Sequence, residues 1–178
     1  GEDVVTAATR ITDSMSGGCL VIQGPPGTGK TYTASLVIIE LIKTGKRVGI
    51  TSNSRKAVIN LIAACGKASS GNLKGVLVGA ESNESLFAEY PNIKHAASNS
   101  TGHAAYHGGI IGGTAWLFTR PEWENELDYL FIDEAGQVSL ANAIAMSRCA
   151  RNLVLLGDQM QLEQPVKGSH PGDAGLSV

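Results

Sequence analysis

Cysteines are few and long apolar runs are missing, and each shortage removes a class of protein. Three cysteines in 178 residues (Cys19, Cys65 and Cys149) form no close pair. That spacing argues against a disulfide scaffold or a cysteine-rich zinc site and suits buried thiols in a reducing cytoplasm. No stretch approaches the roughly 20 consecutive apolar residues of a membrane span, so no membrane partner is expected. The acidic start, Gly1-Glu2-Asp3, lacks the basic opening of a secretory leader. Charge of one sign is also lacking: 14 Lys+Arg against 16 Asp+Glu leave a net charge of −2. Any binding of nucleic acid therefore has to come from a local patch. With 43% hydrophobic and 17% charged residues, the chain reads as one ordinary globular domain burying roughly 70% of its unfolded surface.

Six short apolar runs punctuate the chain: 19–23, 47–51, 75–79, 109–112, 129–132 and 153–156. They are continuous rather than alternating, which is how strands buried on both faces read. Between them, Thr31 to Lys43 and Ser54 to Cys65 carry apolar residues at helical spacing, with Gly45 and Gly66 as stops. Val138 to Cys149 reads as a third helix, with Val138, Ala141, Ala145 and Cys149 on one stripe. The polar stretch Ala96 to Gly109 reads as a loop. Strand and helix in alternation predict an α/β fold, a parallel sheet with helices on both faces.

The chemistry starts at Gly24-Pro-Pro-Gly27-Thr28-Gly29-Lys30-Thr31, which matches G-x-x-x-x-G-K-[ST]. In a chain with 22 Gly, chance would produce that pattern roughly 2% of the time, before counting its place between a strand run and a helix. The amides of Gly27, Thr28, Gly29 and Lys30 can curl around phosphate oxygens, because glycines permit the turn and put no side chain in the way. The N-terminus of the following helix adds its positive dipole end. Lys30 is placed to reach the β and γ phosphates and Thr31 to bind Mg²⁺. ATP and Mg²⁺ are the cofactors this predicts.

A hundred residues on, Tyr129-Leu-Phe-Ile-Asp133-Glu134 is an apolar run ending in two carboxylates. A triphosphate loop needs a carboxylate near its metal, and Asp133 suits that role; Glu134 can then orient and deprotonate an attacking water. A third run ends Gly157-Asp158-Gln-Met-Gln161. The residues alone leave Gln161 either a sensor of the γ-phosphate or part of a plain surface loop.

Together, Gly24–Thr31, Asp133-Glu-Ala-Gly-Gln137 and Gly157-Asp-Gln-Met-Gln-Leu162 resemble superfamily 1 helicases of the 5′→3′ branch. Within it they look like the nonsense-mediated-decay helicases and, through the tail Gln164 to Ser177, bacterial helicases fused to RecB-like nucleases. The resemblance implies a RecA-like P-loop NTPase lobe in which the phosphate-loop strand and the acidic strand are separated by one other. It implies that Lys30, Glu134 and Gln161 are catalytic and that Thr31 and Asp133 hold metal. It also implies that Gln137 couples the nucleotide site to a bound strand. Thr51-Ser52-Asn53-Ser54 is similar to the motif that touches single-stranded nucleic acid, and Thr114 lies where a further strand-binding motif stands. Arg55 and Lys56 adjoin the first of these. DNA is favoured over RNA as the strand.

Two departures shape the expectation. Glu2 to Gly18 contains no glutamine to read adenine. Residues 1–178 are expected to form only the first lobe of a motor, with the second RecA-like lobe, its arginine fingers and a possible nuclease domain lying outside them. Five basic residues, Lys43, Lys46, Arg47, Arg55 and Lys56, form a sequence cluster that suits a phosphate-tracking groove or a solvated helix end. Trp116 and Phe118 read equally as stacking faces or core, and Glu122, Glu124, Glu126 and Asp128 as a phosphate-repelling approach. His103 and His107 have no Cys or carboxylate near them at ligand spacing. The competing readings are a self-contained P-loop NTPase of the phosphate-starvation-induced type and a non-catalytic nucleotide-gated module. Retained Lys30, Thr31, Asp133 and Glu134 argue against the latter.

Overall fold

The computed structural model describes residues 1–82 and 84–158. In chain order the elements are α1 (Val4–Ser14), β1 (Gly18–Gln23), α2 (Lys30–Lys43), β2 (Val48–Thr51), α3 (Arg55–Ala68), β3 (Gly75–Val78) and α4 (Ser85–Glu89). They continue as β4 (Ile93–Ala96), α5 (Asn99–Ala105), β5 (Ile110–Gly113), α6 (Ala115–Phe118), β6 (Leu127–Ile132), α7 (Leu140–Ser147) and β7 (Ala150–Gly157). The strands form one parallel seven-stranded sheet in the order β1-β7-β6-β2-β5-β3-β4. β7 alone separates β1 from β6, as the resemblance implies.

Alternate residues of the inner strands feed two separate cores, which is why those runs read as continuously apolar, whereas the edge strand β1 leaves Val21 61% exposed. Ile50, Ile110, Phe131 and Val154 pack with α1 to α4. Ile111, Leu130 and Ile132 pack on the other face with Leu117, Ala143 and Met146. Two cysteines lie in these cores, where burial pushes the thiols of Cys65 and Cys149 up to about 12. Cys19 is exposed on the edge strand β1, contrary to the expectation for all three.

Three local expectations need correction. Residues 96–109 are not a loop: α5 forms there, held by a capping box between Ser98 and Thr101 and by Gly102, where a Cβ would collide with Val78. Gly66 does not stop α3, which runs to Ala68. The ring of Tyr90 packs directly on Gly66, so the glycine serves close approach, not chain reversal. In α7 the buried residues are Ala143 and Met146, not the stripe through Ala141 and Ala145, because alanine marks neither face strongly. α1 and β4 carried no signal strong enough to read. α1 is rich in β-branched residues of low helix propensity, yet Asp3 caps it by accepting from the Val5 and Thr6 amides. The Tyr129 hydroxyl then donates to the Thr12 carbonyl at 2.7 Å, tying it to the core.

The basic cluster comes apart in three dimensions. Lys43, Lys46 and Arg47 precede β2 whereas Arg55 and Lys56 follow it, so the strand, roughly 13 Å long, divides them between opposite ends of the parallel strands. Lys43 pairs with Glu40 at 2.7 Å and Arg47 with Glu126 at 2.6 Å. The acidic approach is internally neutralised: Arg120 pairs with Glu122, Arg148 with Glu124, and the Arg47 amide donates to Asp128. Among the described residues no helix is long and apolar enough to cross a membrane.

Candidate functional site

The phosphate loop begins where two neighbouring strands finish together. The Gly24 amide donates to the Gly157 carbonyl at the end of β7, fixing the loop's entry above the sheet. Gly27 and Gly29 have φ of +81° and +85°, a left-handed region that side chains disfavour. The Thr28 hydroxyl turns inward to the Pro25 carbonyl at 2.8 Å. Lys30 opens α2 and folds back over its own loop, its ammonium donating to the carbonyls of Gly24 and Pro25.

A cleft of about 470 Å³ lies above the loop. Gly27, Gly29, Lys30 and Thr31 form one wall, and Asp133 and Glu134 stand at the end of β6. The third side is the start of α3, through Ser54, Lys56 and Asn60. Asn60 escaped the sequence reading, although its place four residues beyond Lys56, on the polar side of that helix, was a usable signal. The loop amides, the Lys30 ammonium, the Thr31 hydroxyl and the two carboxylates make a donor set that fits a magnesium-bound nucleotide. Magnesium is commonly held by one or two protein oxygens plus phosphates and water, not by an all-protein cage. Among the described residues no group of three His, Cys, Asp or Glu forms such a cage.

Asp133 is buried, its amide donates to the Thr51 carbonyl at 2.8 Å, and its carboxylate accepts from the Glu134 amide at 2.9 Å. Burial holds its carboxyl above the usual carboxylate range, the neighbouring Glu134 charge adds to this, and the Glu134 amide and Lys30 oppose it. The folded chain thus binds the Asp133 proton more tightly than the unfolded chain. Its contribution to stability is fully present below the unfolded value and is lost as pH rises through the folded one. Asp133→Asn is expected to raise the melting temperature of the nucleotide-free chain at neutral pH by about 2–4 °C, corresponding to about 1 kcal/mol. The gain should shrink as pH falls toward about 3.9, the unfolded value. Thermal unfolding of both proteins across pH, in chelator, checks this; an Asn variant less stable at pH 7 contradicts it.

Glu134 has a left-handed backbone, φ 54° and ψ 42°, in a residue type that seldom adopts it. Its carboxylate accepts a hydrogen bond from the Ser52 hydroxyl at 3.2 Å. Ser52 therefore faces inward and is only 5% exposed. The Asn53 side-chain amide donates to the Gln137 carbonyl. The segment after β2 is thus clasped to the segment after β6 at two points. Of the other strand-contact candidates, Arg55, Lys56 and Thr114 are exposed, and Ser54 caps α3 by accepting from the Ala57 amide. Gln137 sits in a short 3₁₀ turn, Ala135–Gln137, and engages Asn53 through its backbone. Gln161 lies outside the described residues. The His103 ring packs edge-on against Trp123, with centroids 5.0 Å apart.

A family model described as "AAA domain" matches residues 5–173. The chain is 30% identical over 166 residues to the DNA replication ATP-dependent helicase/nuclease DNA2 of Saccharomyces cerevisiae, covering 88% of this chain and 10% of that protein. Across the first curated relatives it spans only 10% to 16% of their length. Among solved structures, the Sulfolobus solfataricus SWI2/SNF2 ATPase core in complex with dsDNA superposes with a TM-score of 0.56 at 18% identity, over 86% of this chain and 30% of that one. The arterivirus nonstructural protein 10 helicase with DNA superposes with a TM-score of 0.53 at 15% identity, over 83% and 30%. These likenesses establish a RecA-like P-loop fold.

Proposed function

The chain belongs to the AAA-domain family, and from that premise we propose that it is the first, ATP-hydrolysing lobe of a superfamily 1 helicase motor. One observation carries the reading: the phosphate loop, Asp133/Glu134 and the segment after β2 meet around one cleft, with Ser52 bonded to the candidate base. In this reading Lys30 exchanges its two loop carbonyls for β and γ phosphate oxygens. Thr31 and Asp133 hold the nucleotide's magnesium, which supplies neutralisation of phosphate charge. Glu134, oriented by Ser52, positions a water in line with the γ-phosphate and accepts its proton, and Gln161 reads that phosphate.

The strand runs along the crest of the sheet beside Asn53, Ser54, Arg55, Lys56 and Thr114. Its occupancy bears on hydrolysis through the clasp to Glu134 and Gln137. The strand is single-stranded DNA, in keeping with relatives named for DNA replication, and a nuclease domain in a longer parent chain belongs to the same picture. The second RecA-like lobe completes the site with an arginine finger and turns closure around ATP into stepping. A self-contained NTPase of the phosphate-starvation-induced type is not favoured, because the curated relative named above is a helicase/nuclease.

The test is to measure binding of Mg-ADP by calorimetry and of a labelled oligodeoxythymidylate by fluorescence anisotropy on the same preparation. Both should bind. Nucleotide binding without any strand binding would remove the motor reading and leave an NTPase.

A further inference from the structure

We propose that Trp116 is a base-stacking platform, its exposed indole taking the face of an unpaired nucleobase of the strand held along the sheet crest. The inference rests on the strand-binding reading above and assigns that strand a specific aromatic contact. Tryptophan is highly buried on average, and the two in this chain meet opposite fates. Trp123 is 0% exposed, within 5.0 to 6.1 Å of the rings of His103, Tyr106 and Phe118. Trp116 is 74% exposed.

The exposed ring stands on a pinned backbone. Its neighbours Leu117 and Phe118 are buried at 0% and 1%. The Leu117 amide donates to the Thr114 carbonyl at 3.0 Å, and the Thr119 hydroxyl donates to the carbonyl of Trp116 itself at 3.3 Å. Little backbone freedom remains to be lost when a base docks, which is what distinguishes a platform from a flexible side chain.

Position selects the ligand. β2 and β5 are hydrogen-bonded neighbours with Thr51 opposite Gly113, so the segments 52–56 and 114–116 leave the sheet side by side. The indole therefore stands next to the residues placed along the strand. β2 separates β5 from β6, which sets Trp116 two strand spacings, roughly 10 Å, to the side of Asp133. It does not line the nucleotide cleft, so the nucleotide's own base is not its partner.

Charge leaves room for such a contact. With the basic cluster divided, Arg55 and Lys56 are its only members at this end of the strands. Two phosphate contacts give a log–log salt slope of only about −1.4 for a single strand, a thin electrostatic grip on a chain of net charge −2. Stacking on an aromatic face adds affinity that salt hardly screens and that any base can supply.

The experiment uses the whole chain with an oligodeoxythymidylate and an abasic oligonucleotide of equal length, reading tryptophan emission and anisotropy together across salt. ADP binding is read in parallel as the check on folding. The thymidylate should quench the exposed indole, the abasic strand should not, and the buried Trp123 should supply the residual emission. Trp116→Leu should remove the quenching and weaken thymidylate binding about tenfold or more at an unchanged salt slope. Trp116→Phe should recover part of the affinity. Equal affinity of parent and Trp116→Leu, or of thymidylate and abasic strand, overturns the proposal while leaving strand binding intact. A parent chain that binds ADP but neither oligonucleotide overturns the strand-binding reading and this inference together.

Discussion

Alone, this chain is expected to bind Mg-ATP yet hydrolyse it about 10³ to 10⁵-fold more slowly than the same lobe closed against an arginine-bearing partner. The reason is electrostatic. The cleft presents Lys30 on one wall and Asp133 and Glu134 at its end, so the γ-phosphate side faces two carboxylates. Lys56 stands at the start of α3, too exposed to provide a fixed, desolvated charge at the transferred group. Charge that develops in the transition state therefore needs a cation from outside these walls. Single-turnover and steady-state release of phosphate, with and without a second lobe added in trans, measure the gap. Glu134→Gln should abolish the hydrolysis restored by the partner while leaving nucleotide binding in place. Brisk multi-turnover hydrolysis by the isolated chain would reject the two-lobe reading. Size-exclusion chromatography would then show whether copies of the chain associate, as donation of arginines between them requires.

Lys30→Ala should lower affinity for Mg-ADP by about 10- to 100-fold. A hydrogen bond to a charged group contributes about 1.5–3 kcal/mol, and in ADP the ammonium released from the Gly24 and Pro25 carbonyls meets only the β-phosphate. About 1.5 kcal/mol is a little over tenfold and about 3 kcal/mol a little over 100-fold. Folding should survive, because the lost bonds are to carbonyls at the rim of the loop, where water replaces the ammonium. Calorimetric titration together with the melting temperature separates these effects. A variant that melts normally and binds ADP within threefold of the parent would show that the loop does not hold phosphate through Lys30. Arginine should be a poor substitute, since its planar fork cannot fold back into a turn shaped around a single ammonium.

Much of the fold was legible because its causes are local. The six apolar runs all became strands; in the inner five, burial on both faces leaves a continuous signature in a few consecutive residues, while the run 19–23 forms the edge strand β1 with Val21 exposed. The phosphate loop was legible for the same reason: two glycines at left-handed φ and a lysine opening a helix are neighbours in the chain. β4 stayed hidden because Lys94 and His95 interrupt its apolar signal at an exposed edge. α1 and α5 stayed hidden because their caps and tertiary contacts, not their propensities, hold them.

Residue types and their order along the chain marked the candidate nucleotide site by themselves: Lys30 and Thr31 behind a glycine turn, Asp133 and Glu134 at the end of a strand. Tertiary structure alone decided the rest of the site. Pairing β2 with β6 turned Ser52 from a surface hydroxyl into a hydrogen-bond donor to Glu134. The length of one strand carried Lys43, Lys46 and Arg47 away from Arg55 and Lys56, leaving two cations where five adjoined in sequence. Packing of Leu117 and Phe118 into one core sent Trp116 outward and left Trp123 inside. A motif acts through atoms a few bonds apart, so spacing reveals it. A face, an edge or a patch joins residues that only the sheet's strand order brings together.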